Sequence, residues 1–193
     1  EASQHGSKHF GKYHASEYEF ALAGEPTSLE IVNVTKGSLW ATLQATGKAA
    51  HASQPEAGDN AILKIARALD QFEQSITAKL ATYTHPSLSH STLNVGTITG
   101  GKQPNIVPDF ASAQIDIRTT PALYEECGAL ELVEKVIAEQ ELPIKVVNPH
   151  ENPPMEVSDD NPWIMRMQAA NPESKTVSAP WFSDAAHLNA AGI

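Results

Sequence analysis

Two stretches of this chain alternate between apolar and polar residues, and each leads into a stretch whose apolar residues recur every three or four positions. Residues 37–46, GSLWATLQAT, set Leu39, Ala41, Leu43 and Ala45 on one side and Trp40, Thr42, Gln44 and Thr46 on the other. Residues 109–118, DFASAQIDIR, do the same with Ala111, Ala113, Ile115 and Ile117 against Gln114, Asp116 and Arg118. A period of two describes a strand with one buried face. After the first stretch, Ile62, Ile65, Ala66, Leu69, Phe72 and Ile76 form one face of a helix, with Asp59 placed to cap it. After the second, Pro121 opens a helix with the stripe Leu123, Cys127, Leu130, Val133 and Ile137. TLNVGTIT and PIKVVN read as two further strands. The order is strand, helix, strand, strand, helix, strand, which predicts an α+β, ferredoxin-like two-layer sandwich (βαββαβ).

The flanks read differently. Residues 1–35 and 156–193 hold one helical stretch, DNPWIMRMQAA, some apolar residues and many turn formers, and neither closes a core alone. Both are expected to belong to one second domain that the sandwich, residues 36–155, interrupts. A chain of 193 residues with a net charge of −10 is not built to hold nucleic acid through its phosphates. No apolar run approaches a membrane span, so no membrane partner is expected. The single cysteine, Cys127, excludes an internal disulfide and a thiolate-built zinc site; its place on an apolar stripe reads as core, and a cytoplasmic location is the expectation.

Several motifs fail on inspection. GTITGGKQ, residues 96–103, has the spacing of a phosphate loop but continues into Gln103 and Pro104 instead of the required hydroxyl and helix. His5 and His9 are four apart without the glutamate of a zinc-protease helix and read as surface residues. Ser183, Asp184 and His187 have no nucleophile elbow. His51 differs, because a histidine between a strand and a helix start, with Ala50, Ala52 and Ser53 around it, can present its ring to a substrate oxyanion.

GKAAHASQPEAGDNAI, residues 47–62, resembles the dimerisation-domain motif of the zinc metallopeptidase family 20. That group includes acetylornithine deacetylase, succinyl-diaminopimelate desuccinylase, aminoacylase and carboxypeptidase G. GEPT and VTKG, residues 24–27 and 34–37, resemble the stretch with a metal-binding glutamate, here Glu25. GGKQPNIVPD and DIRTTP resemble the segments with a substrate-binding asparagine and arginine, here Asn105 and Arg118. FSDAAHLNAAGI resembles the run before the last metal ligand. EASQHGSK resembles the residues just after an Asp-Glu-Glu motif, with Glu1 as a second metal ligand.

The resemblance implies flanks that are incomplete pieces of an α/β zinc-hydrolase catalytic domain. It further implies a pair of zinc ions per complete subunit, with cobalt as the alternative. Their bound water would attack the amide of an N-acyl amino acid or short peptide with a free carboxylate. His51 would be the oxyanion donor, reaching the neighbouring subunit of a homodimer formed through the sandwich. Arg118 would hold the carboxylate, with Asn105 beside it; the plainer alternative pairs Arg118 with Asp116 on the same sheet face. The general base and several metal ligands of the family would lie outside residues 1–193, so this stretch alone is expected to be inactive and without metal. The competing reading is a non-catalytic dimerisation or lid module.

Overall fold

The computed structural model describes residues 4–193. Its elements in chain order are α1 (His5–His14), β1 (Ile31–Thr35), β2 (Gly37–Thr46), β3 (Ala50–His51), α2 (Ala61–Leu80), β4 (Thr84–His85), β5 (Ser89–His90), β6 (Thr92–Gly100), β7 (Ile106–Val107), β8 (Phe110–Thr119), α3 (Pro121–Glu126), α4 (Gly128–Glu139), β9 (Lys145–Asn152), β10 (Met155–Glu156), α5 (Pro162–Ala170), β11 (Thr176–Ala179) and α6 (Ala185–Ala190). The alternating stretches become the two central strands of an antiparallel sheet ordered β6-β8-β2-β9. This is the strand order of the predicted βαββαβ sandwich. Leu39, Leu43, Ala113 and Ile117 face α2 and α4 with Phe72, Ile76 and Val133 in one core. Each large apolar side chain buried there contributes about 1.5–3 kcal/mol. The opposite face of the sheet is polar and carries no helix of the sandwich.

The helices differ from expectation in phase. Asn60, not Asp59, caps α2, accepting from the Leu63 N–H at 3.1 Å. Asp59 instead pairs with Lys64 and bridges to Lys48 through the backbone. The buried stripe of α2 is Ala61, Ile65, Ala68, Phe72, Ile76 and Leu80, while Ile62 and Ala66 are exposed. The second helix is broken at Cys127–Gly128, where Gly128 takes φ +78° and a Glu151 carboxylate oxygen accepts from the Ala129 N–H at 2.6 Å. The break resets the phase. Ala129, Leu132, Val133 and Val136 are buried, and Cys127, Leu130 and Ile137 are only partly so.

The flanks meet in space. β1 lies between β10, antiparallel, and β11, parallel. α1 crosses α6 closely, for a Cβ at Gly11 would sit 3.1 Å from that of Ala191. A strap from the sandwich, β4–β5, reaches over this smaller sheet. Its base is held where Ser91 and Thr120 bond each other and Tyr83. Its tip buries Leu88, receives a hydrogen bond from Ser178 Oγ to the Ser87 carbonyl at 2.9 Å, and sets His85 Nε2 3.3 Å from Glu156. Among the described residues no helix is long and apolar enough to cross a membrane.

Candidate functional site

His51 stands beyond one end of the central strand pair. Past Thr46 and Phe110 the two chains continue as β3 and β7, with His51 opposite Ile106, and the Ala52 N–H donates to the Asn105 carbonyl at 2.9 Å. The loop folds back tightly, since a Cβ at Gly47 would lie 2.0 Å from the Asp59 carbonyl oxygen. His51 and Asn105 are both exposed. The Ser53 N–H donates to His51 Nδ1 at 3.2 Å, with the Ser53 hydroxyl at 2.8 Å. An Nδ1 that accepts leaves the proton of the neutral ring on Nε2.

Arg118 stands at the other end. One cross-strand row there reads Asn152, Ser38, Arg118, Thr92 over β9, β2, β8 and β6. Arg118 donates to Asp116 Oδ2 at 2.8 Å, and the Asn152 amide donates to Ser38 Oγ at 3.0 Å. Lys36 lies just before β2 at 5% exposure. Its ammonium donates to the His90 carbonyl, and no carboxylate among the described residues pairs with it. Burial, then the neighbouring Arg118 charge, pushes the Lys36 pKa down. Four buried side-chain polar atoms have no partner among the described residues: Thr35 Oγ1, Asp116 Oδ1, Thr119 Oγ1 and Asn152 Oδ1. All four belong to this end, where two chain crossings, at Lys36–Gly37 and Asn152–Pro154, join the sandwich to the smaller sheet.

These positions correct the expected arrangement. Asn105 sits beside His51, not beside Arg118. Phe110 and Arg118 are eight residues apart on one strand, so about 27 Å of extended backbone separates the two ends. The Arg118–Asp116 pair weighed as the alternative is present, with both side chains partly exposed and Lys36 adding a cation beside it. Lys36, Ser38 and Asn152 were missed; extending the alternation of Trp40 and Thr42 backward by two and four residues places Ser38 and Lys36 on the same face.

Glu25 is exposed and accepts from the Ser183 hydroxyl at 3.5 Å. It borders a cavity of about 500 Å³, lined by Phe20, Ile31, Met155, Trp163 and Ile164 among others. Glu1 lies outside the described residues. Among the described residues no three His, Cys, Asp or Glu side chains gather to hold a metal. Glu25 alone does not make a zinc site, which needs about three protein ligands. Ser183, Asp184 and His187 do not form a relay: they bond Glu25, Ser7 and Gln4 respectively. His187 is pushed down to about 4 by burial, then by Lys8, against an opposing pull from Asp184. GTITGGKQ runs along β6 into a turn with no helix after it.

The chain is similar to the acetylornithine deacetylase of Vibrio cholerae, 30% identical over 186 residues that cover 92% of this chain and 49% of that protein. It is also similar to a protein of Aspergillus flavus named as a probable carboxypeptidase, 33% identical over 69% of this chain and 33% of the relative. It thus spans between a third and a half of the length of these relatives. In fold it resembles a tripeptidase from Staphylococcus aureus, at a TM-score of 0.72 and 22% identity over 98% of this chain and 52% of that one. A metallo-carboxypeptidase from Sulfolobus solfataricus gives a TM-score of 0.67 at 15% identity over 96% of this chain and 64% of that one. Residues 33–143 match the peptidase dimerisation domain of the M20 peptidases, and the chain belongs to that family.

Proposed function

We propose that this chain is the dimerisation and lid portion, with adjoining catalytic-domain pieces, of a metal-dependent amidohydrolase. Its substrates are N-acyl amino acids or short peptides with a free carboxylate. Residues 36–155 form the lid, and residues 1–35 and 156–193 one interrupted second unit. The observation that carries the reading is the separation of His51 from Arg118 on one stiff strand pair. A single subunit cannot bring both to one small substrate, whereas two copies can exchange them. The edge of β6 supports a second copy. Nearly all of that strand is exposed, with Val95 at 38% and Ile98 at 55%, and Ile62 and Leu63 of α2 are exposed too. A long free edge with apolar side chains is a surface for strand pairing.

In this reading Arg118 and Lys36 bind the substrate carboxylate, the first through a planar fork and the second as a point charge. His51 of the neighbouring copy donates its Nε2–H to the developing oxyanion, and Asn105 beside it offers an amide. Glu25 supplies one ligand to a divalent metal, zinc or cobalt, whose other ligands lie outside the described residues. That metal, when bound, would lower the pKa of the attacking water.

Subunit mixing tests this. In the full-length polypeptide, His51→Ala and Arg118→Ala each abolish most hydrolysis of an N-acyl amino acid. Mixed in equal amounts and allowed to exchange, they regain about a quarter of parental activity, because half of the dimers at random carry one intact site. No regain on proven exchange overturns the shared site. The second reading is a non-catalytic module; metal-dependent turnover by the full-length polypeptide would end it.

A further inference from the structure

The polar face of the sheet carries a cleft that the proposed hydrolysis leaves unused. It lies against the start of α1, has a volume of about 860 Å³, and is lined by Trp40, Asn94, Gln114, Asp116, His150 and His5 among others. Its shape has an identifiable cause. β6 carries one extra residue between Val95 and Thr97, whose partners Ile115 and Gln114 are adjacent. β9 carries one extra residue between Val147 and His150, opposite Thr42 and Trp40. The two bulges sit at one level, on either side of the central pair Ala41 and Ile115, and bend both outer strands. Asn148, inside the second, takes φ +51°, the left-handed backbone that asparagine tolerates better than most residues other than glycine.

The lining sets amide groups and one carboxylate, Asp116, beside an aromatic platform. Trp40 is 42% exposed. Gln114 receives a bond from Thr97 Oγ1 on its Oε1 at 3.2 Å, and its amide N–H groups remain as donors. Asp116 gives Oδ2 to Arg118, while its Oδ1 has no partner among the described residues. No lysine or arginine lines the cleft, so it suits alternating amide N–H and C=O groups better than an anion. It also adjoins the carboxylate site. Asp116 and Gln114 are two and four residues from Arg118 along β8, about 7 and 14 Å, the span of roughly two to four extended peptide residues.

We propose that this cleft takes the part of an oligopeptide substrate that lies beyond the carboxylate held by Arg118, which makes short peptides, not acetylated single amino acids, the substrates it favours. The inference rests on the Arg118 carboxylate reading.

The test uses this chain, isotope-labelled, with N-acetylalanine and N-acetyl-trialanine followed by NMR. Both shift the Arg118 guanidinium signal. Only the longer probe shifts the Trp40 indole N–H and the Gln114 side-chain amide. Trp40→Ala and Gln114→Ala each weaken the longer probe by about five- to tenfold and leave the shorter one unchanged. If Trp40→Ala loses its folded spectrum, Gln114→Ala decides, because that side chain is exposed. Should the longer probe shift Arg118 alone, or bind the folded variants as it binds the parent, the cleft proposal is overturned and the carboxylate reading stands. If neither probe moves Arg118, the carboxylate reading fails and this inference fails with it.

Discussion

The two ends of the β2–β8 strand pair differ in what they leave unsatisfied. At the His51 end the imidazole is exposed, one of its nitrogens is held by Ser53, and none of the unpartnered buried atoms is found. At the Arg118 end a lysine is buried without a carboxylate, and four buried polar atoms lack a partner among the described residues. Each such atom costs about 1–3 kcal/mol when it is left unmade. A fold retains that cost where a ligand or water completes the bonding. One end offers an exposed neutral side chain and the other two cations, Arg118 and Lys36, and about 27 Å of strand keeps them apart within one chain.

The comparison breaks most decisively at His51. In the full-length polypeptide, His51→Ala should lower turnover by about 100- to 1,000-fold, as for other oxyanion donors, with the urea unfolding midpoint unchanged. A shifted midpoint with normal turnover would make the loop structural. Next come the glycines that bracket β2. A Cβ at Gly47 meets the Asp59 carbonyl at 2.0 Å, and one at Gly37 meets Thr119 Oγ1 at 2.4 Å and the Asn152 carbonyl at 2.6 Å. Gly47→Ala and Gly37→Ala should each destabilise by about 1–3 kcal/mol in urea titrations. Amide hydrogen exchange should then quicken around His51 in the first and around Arg118 in the second.

Lys36→Met should weaken acetate binding to the chain by about tenfold, the worth of one charge-assisted hydrogen bond, without lowering the melting temperature. Unchanged acetate affinity would confine Lys36 to a structural role at the crossing. The smallest effect is at His187. Its folded pKa, about 4, lies below the ordinary 6.5. The unfolded chain therefore binds the proton first, and the stability this residue contributes is complete above pH 6.5 and is lost as pH falls toward 4. NMR titration of the ring should give a midpoint near that lower value, and His187→Gln should flatten the acid side of the stability curve.

Much of the architecture was legible. The alternation of Leu39 to Ala45 and of Ala111 to Ile117 named both central strands and their buried faces, because a period of two is a direct consequence of strand geometry. The α4 stripe was misread because Gly128, in a left-handed backbone, resets the helix phase in the middle of a continuous apolar pattern. On α2, Ile62 and Ala66 look like core in any window, yet both are exposed, Ile62 beside Gly100 at the end of the free edge strand β6, and only the sheet's extent tells edge from centre. Resemblance singled out Arg118 and His51 as candidates but did not set them at opposite ends of one strand pair.

What the sequence determined by itself was local: which residues form strands and helices, which face of each strand is apolar, and that His51 falls in a loop of small residues. Only the tertiary structure decided that Asn105 joins His51 at one end while Lys36, Ser38 and Asn152 join Arg118 at the other. The physical reason is that side-chain alternation fixes the face of a strand but not its register against a partner far away in the chain, here Gly37 opposite Thr119 and Ser38 opposite Asn152. Register is set by the turns, bulges and packing of the whole sheet, and it dictates the position of every candidate site residue.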